Sequence, residues 1–150
     1  MEGQARTILA GFSSHRAEIM ADTDIRKRAR ILVVEDHADT LAMMDRLLRI
    51  EGDYEVIAVA DSAGAIVAAR DTRFGLLIID IGLPDGSGVA LLKQLLFHGP
   101  CRALALTGYD MPAHIKQYRE GGFDEWLIKP VNLDLLLSTV RRILGDGRAD

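Results

Sequence analysis

The feature that most constrains the fold is an alternation running through the chain from about Arg30 to its last turns. Short apolar runs alternate with longer segments of helical spacing, which is the pattern of a parallel sheet covered on both faces. Ile31-Leu32-Val33-Val34 and Leu76-Leu77-Ile78-Ile79 are continuous and rich in β-branched residues, and Ala103-Leu104-Ala105-Leu106 is a weaker third run. Tyr54 to Val59 and Glu125 to Ile128 supply two further candidate strands. The segments between them carry helix punctuation. Asp39 is a candidate cap for a helix bearing Leu41, Met44, Leu47 and Leu48, and Ser62 for an Ala-rich helix ending near Arg70. A third helix is expected from about Gly88 to His98, stopped by Gly99-Pro100. Pro112 suits the first turn of a fourth, which Gly121-Gly122 ends, and Asn132 opens a last one with Leu133, Leu136, Leu137, Val140 and Leu144 inward. Five β/α units without an internal repeat favour an α/β, flavodoxin-like, doubly wound five-stranded parallel sheet with helices on both faces. A closed barrel would need about eight units and about 250 residues.

At 150 residues the chain has room for one ordinary domain. Residues 30–146 form that domain in this reading, residues 1–29 an N-terminal extension read as mobile, and residues 147–150 a short tail. The basic cluster Arg26, Lys27, Arg28 and Arg30 reads as solvated charge flanking the first strand. With 22 acidic and 18 basic residues the net charge is -4, which argues against nucleic acid as a partner and suits a basic surface or a bound cation. The single cysteine, Cys101, excludes an internal disulfide, reads as a small core residue and makes a reducing cytoplasm the simplest location. No apolar run approaches the roughly 20 residues that span a bilayer, so no membrane association is expected.

Four polar signals fall at the carboxyl ends of apolar strands: Glu35-Asp36, Asp80, Thr107 and Lys129. Open parallel sheets place their ligands at this edge. If the strand ends converge, three carboxylates face one ammonium. Like charges that close do not all ionise without another cation, so a divalent metal is implied. All-oxygen ligands beside a phosphate favour Mg²⁺. The ion and Lys129 together would also offset the repulsion between a carboxylate and an incoming phosphoryl group.

The same residues, in order and at this spacing, resemble the CheY-like receiver domains of response regulators over roughly residues 30 to 146. The matching motifs are Glu35-Asp36, then Asp80 within Ile79-Asp80-Ile81-Gly82-Leu83-Pro84-Asp85-Gly86-Ser87-Gly88, then Thr107-Gly108 and Lys129-Pro130. The resemblance implies that Asp80 is the phosphoryl acceptor. It makes Asp36 a direct Mg²⁺ ligand, Glu35 a ligand through water, and the Gly82 carbonyl a further ligand beside Asp80. It also implies that Lys129 pairs with phosphoryl oxygens ahead of a cis bond to Pro130, and that the Thr107 hydroxyl bonds the attached phosphoryl group. Trp126, the only tryptophan, stands at the switch-aromatic position, where Tyr or Phe is usual. Gly82 and Tyr109 fall at positions that tune phosphoryl loss, and the motif phrases look most like receivers of hybrid histidine kinases.

The expected function is therefore a single-domain response regulator in a two-component or phosphorelay pathway, with self-catalysed phosphorylation and dephosphorylation and no metabolic activity. Its donor would be a histidine kinase or histidine phosphotransfer protein. Its signal would leave through protein contact, with an unidentified output protein or with a second copy through the fourth helix, fifth strand and last helix. Two alternatives remain. A phosphorylation-independent scaffold of the same fold needs none of these roles, and a haloacid-dehalogenase-type phosphohydrolase needs an acid two residues after the nucleophile, where this chain has Gly82.

Overall fold

The computed structural model describes residues 28–108 and 112–145; residues 1–27 of the expected N-terminal extension, Tyr109 and the C-terminal tail lie outside the described residues. Strand β1 (Arg30–Val34) leads to helix α1 (Ala38–Arg46), which runs on into a π-helical turn over Leu47–Glu51. Strand β2 (Glu55–Val59), helix α2 (Ser62–Asp71) and strand β3 (Leu76–Asp80) follow. A two-residue antiparallel ribbon, Gly82–Leu83 against Gly86–Ser87, precedes helix α3 (Gly88–Leu96). The chain then forms β4 (Arg102–Thr107), α4 (Pro112–Glu120), β5 (Glu125–Ile128) and α5 (Leu133–Ile143).

The five sheet strands lie in the order β2-β1-β3-β4-β5 and every pairing among them is parallel. This is the flavodoxin-like, doubly wound arrangement that the alternation implied. Period-2 geometry sends successive side chains to opposite faces, and a strand buried on both has to be apolar throughout. The whole of β3 is buried, as are Ile31 to Val34 of β1. On one face Ile31, Val33, Ile78, Leu104 and Leu106 pack with Met44 and Leu48 from α1 and its π turn and with Leu136, Val140 and Ile143 of α5. On the other, Leu32, Val34, Ile79, Ala103 and Ala105 pack with Ala65, Leu91, Leu92, Leu95, Tyr118 and Phe123.

Three helix boundaries differ from the sequence reading, two at N-termini, where an earlier side chain reaches the free N–H groups first, and one at a C-terminus. Helix α1 is capped by His37, whose ring accepts from the Thr40 N–H, with Asp39 inside the first turn. Helix α2 is capped by Asp61, whose carboxylate accepts from Gly64, so Ser62 is its first residue. Helix α3 ends at Leu96, and Phe97 closes it before Gly99 takes a positive φ of 131°. The Asn132 cap and the Pro112 start stand as expected. Cys101 is half-buried, donating its thiol to the Phe74 carbonyl at 3.2 Å, and burial raises its pKa.

Candidate functional site

Register brings the polar positions together. Val34 pairs with Ile79, Asp80 with Leu106, and Thr107 with Ile128, so β1, β3, β4 and β5 all end at one level and release Glu35, Asp80, Thr107 and Lys129 at the same edge. The chain leaves β1 for β2 on one side and returns to β3 on the other, which opens a crevice at the β1 and β3 ends, the usual ligand position in such sheets.

Carboxylate oxygens of Glu35, Asp36 and Asp80 lie within 4.8 Å of one another there. Their surroundings differ. Glu35 is fully buried, Asp80 nearly so, and Asp36 is exposed. The Lys129 ammonium lies 3.0 Å from Asp80 Oδ2 and 3.1 Å from Glu35 Oε1. Asp80 Oδ1 accepts from the Gly82 N–H at 3.0 Å, and Glu35 Oε2 from the His37 N–H at 2.8 Å. Glu35 Oε1 is buried without a hydrogen bond, because its approach to Lys129 is an ion contact without hydrogen-bond geometry. A buried carboxylate oxygen with spare acceptor capacity beside two more carboxylates suits a hard divalent cation, so the donor set fits Mg²⁺.

Burial pushes the Asp80 carboxyl up from its ordinary value, and the Glu35 charge adds to the rise. The Gly82 N–H and the Lys129 ammonium pull the other way without cancelling it. For Lys129 burial favours the neutral amine, yet the bonds to Asp80 and Glu35 prevail and hold its pKa above the ordinary lysine value. At neutral pH the ammonium is therefore charged. The Lys129–Pro130 bond is cis.

Thr107 is buried at the end of β4, and its hydroxyl shares a 3.2 Å hydrogen bond with the Tyr118 hydroxyl. Gly108 is exposed, with nothing within 4 Å of where a Cβ would stand. Trp126 is half-buried, with the Arg119 guanidinium 5.2 Å above its ring.

Three contributors were not assigned a role from sequence. Gly88 backs directly onto β3: a Cβ there would overlap the Asp80 carbonyl oxygen and come within 2.9 Å of Ile81 Cα, so only glycine lets α3 start this close to the site. Asp85, on the tip of the ribbon, accepts from the Ser62 and Ala63 N–H groups at 2.9 and 3.2 Å and ties the loop after Asp80 to the positive end of α2. Those N–H bonds, Ser62 first, lower the Asp85 pKa. Tyr118 is the third; its signal was a buried-type aromatic, spaced three from Ile115, in an otherwise polar helix.

A parallel sheet of order 2-1-3-4-5, with an acidic trio at its switch point and a lysine from the last strand paired to the central carboxylate, defines a receiver-type α/β module. The chain belongs to the response regulator receiver domain family, whose model matches residues 31–141. It is a response regulator homologous to DivK-type and CheY-like regulators, a family whose general mechanism is phosphorylation of an aspartate. It is 30% identical over 122 residues to the polar-differentiation response regulator DivK of Brucella anthropi, covering 78% of this chain and 97% of that protein. A CheY-like receiver domain from Methanospirillum hungatei superposes with a TM-score of 0.73 at 30% identity, over 79% of this chain and 95% of that one. The receiver domain of a sensor histidine kinase from Pseudomonas aeruginosa, with a magnesium ion coordinated in its active-site cleft, gives 0.70 at 25% identity, over 79% and 98%. Among the described residues no helix is long and apolar enough to cross a membrane.

Proposed function

We propose that Asp80 is the phosphoryl acceptor of this regulator and that Mg²⁺ is held by Asp36, Asp80 and the Gly82 carbonyl, with Glu35 acting through water. The observation that carries this reading is the Asp80 carboxylate, almost buried, 3.0 Å from Lys129 Nζ and grouped with two further carboxylates. When bound, the ion supplies the positive charge that lets a phosphoryl group approach three carboxylates. The magnesium ion in the Pseudomonas aeruginosa receiver supports the choice of metal.

One Asp80 carboxylate oxygen forms the new O–P bond as the P–N bond to a donor histidine breaks, and the departing imidazole keeps that electron pair. The Lys129 ammonium, fixed by Asp80 and Glu35 on the other side of the cluster, receives the charge gathering on the equatorial oxygens. The buried Thr107 hydroxyl then bonds a phosphoryl oxygen, and Trp126 and α4 follow it. Asp80, Lys129 and Thr107 thus carry the chemistry, and Thr107 and Trp126 the switch. The protein turns over its own phosphoryl group and no other substrate. A histidine kinase or histidine phosphotransfer protein in the cytoplasm is the donor, with a phosphorelay favoured by the likeness of its motifs to hybrid-kinase receivers. The α4-β5-α5 face, with Ile128 and Leu135 exposed, meets the output partner or a second copy.

Incubation with acetyl phosphate, with and without Mg²⁺, followed by intact mass, tests this directly. One added phosphoryl group, absent without the metal and in Asp80→Asn, is expected. An adduct that survives Asp80→Asn places the acceptor elsewhere. No adduct, together with no response to beryllium fluoride, makes the chain a phosphorylation-independent scaffold.

A further inference from the structure

Beyond the acceptor chemistry, and resting on the assignment of Asp80 and Thr107 above, we infer that Tyr118 is a positioning residue that holds the Thr107 hydroxyl toward α4 and so sets how readily the site passes to its phosphorylated state. Both side chains are buried, Thr107 at 3% and Tyr118 at 6% exposure, and their hydroxyls lie 3.2 Å apart. The Tyr118 ring is fixed on both sides. Phe123 meets it edge to face at 6.5 Å, and His114, one turn earlier on α4, lies tilted against it at 6.3 Å. A ring wedged in this way carries its hydroxyl to one point at the end of β4 with little rotational freedom.

The consequence follows from the chemistry of a hydroxyl. Thr107 has one proton to donate and one rotor to aim it. With Thr107 as the donor in this bond, as the proposed resting arrangement requires, its proton has to turn from Tyr118 toward the end of β3 to reach a phosphoryl oxygen on Asp80, and the bond to Tyr118 lengthens or breaks. The Tyr118 phenol would then sit in an apolar surround of Phe123 and the β4 alanines without a partner, unless α4 itself moves. The same bond therefore does two things: it favours the resting orientation of Thr107, and it makes the movement of α4 a condition of leaving it. This ties the helix to the site through a side chain of the helix itself, in addition to Trp126 on β5.

The test uses the intact chain, Mg²⁺ and beryllium fluoride as the phosphoryl mimic, read by ¹⁹F NMR of the bound fluorides and by Trp126 fluorescence. Tyr118→Phe keeps the ring and removes the hydroxyl, so its thermal midpoint should stay near that of the unmodified protein. Its apparent affinity for beryllium fluoride should rise about tenfold, the size set by one net buried hydrogen bond. In a Thr107→Ala background the same change should have no effect, since the partner hydroxyl is gone. Unchanged affinity in Tyr118→Phe overturns the inference, and weaker affinity overturns it too, because it would mean that Tyr118 supports the donor role of Thr107. A gain that persists in Thr107→Ala assigns the effect to packing and likewise overturns it. Failure of the unmodified chain to bind beryllium fluoride would strike instead at the assignment of Asp80 as acceptor.

Discussion

The two faces of the sheet are built to different standards. The face under α1 and α5 is lined from every strand by large aliphatic side chains, and α5 buries five residues against it: Leu136, Leu137, Thr139, Val140 and Ile143. The opposite face has only small side chains on β4, Ala103, Ala105 and, at its end, Thr107, and Tyr118 and Phe123 pack with the alanines, with Trp126 the register partner of Ala105. Tyr118 is the one buried side chain among those described on α4. Dense aliphatic packing has a single good arrangement, whereas a few aromatic rings over small residues leave room for a second one. The contrast supports α5 as scaffold and α4 as the part proposed above to move.

The largest effect should come from the scaffold face. Leu136 is fully buried in the aliphatic cluster, and Leu136→Ala should cost about 3 kcal/mol, lowering the thermal midpoint by roughly 10 °C. Amide exchange on the unmodified protein sharpens the same point. The α5 amides should exchange only through global unfolding, and those of α4 through a cheaper local opening. Equal protection of the two helices would erase the contrast.

How far the site is legible in the sequence follows the same division. The three central strands, β1, β3 and β4, could be read because they are buried on both faces and had to be almost continuously apolar, and the polar residues ending them stood out against those runs; the edge strands β2 and β5 are half-exposed and carried a weaker signal. Glu35, Asp36, Asp80, Thr107 and Lys129 were visible for that reason, and the register brings them to one edge. What stayed hidden depends on close approach in space. Asp85 caps a helix that lies 23 residues back along the chain. Gly88 is glycine because β3 passes behind it, and Tyr118 meets Thr107 from 11 positions further along the chain. The misplaced caps have a local cause: Asp39 and Ser62 are good capping types, and His37 and Asp61 stood one or two residues nearer the helix start.

A middle-sized effect should separate the site from both packing faces. With no divalent cation present, burial and the Glu35 charge keep the Asp80 carboxyl pKa above 3.8. A carboxyl raised on folding binds its proton more tightly in the native state. Its contribution to stability is full below 3.8 and is lost as pH rises through the folded value. Asp80→Asn carries no such loss and should be the more stable protein at neutral pH, by about 1 kcal/mol or roughly 3 °C, with the gap closing as pH falls toward 4. Added Mg²⁺ should narrow the gap from the other side, because an ion held at the folded unmodified site as proposed above stabilises it by mass action. Thermal melts of the two proteins at several pH values, with EDTA or with Mg²⁺, give the comparison. A lower midpoint for Asp80→Asn in EDTA would mean that the Lys129 ion pair outweighs the crowding of carboxylates.

The smallest effect belongs to the residue beside Tyr118. Arg119 is exposed, and its guanidinium over Trp126 is worth about 0.5–1 kcal/mol at a site open to solvent. Arg119→Ala should therefore shift the thermal midpoint by no more than a few degrees. What it should change is the ring it covers: the emission of Trp126 in the resting protein should alter, with the spectrum after beryllium fluoride less affected if activation already separates the pair. Adjacent positions of α4 would then hold the two side chains expected to move, Tyr118 from below through Thr107 and Arg119 from the surface through Trp126. Emission identical to that of the unmodified protein in both states would leave Tyr118 as the sole link from α4 to the switch among these contacts, and would confine the two-arrangement face to its buried rings.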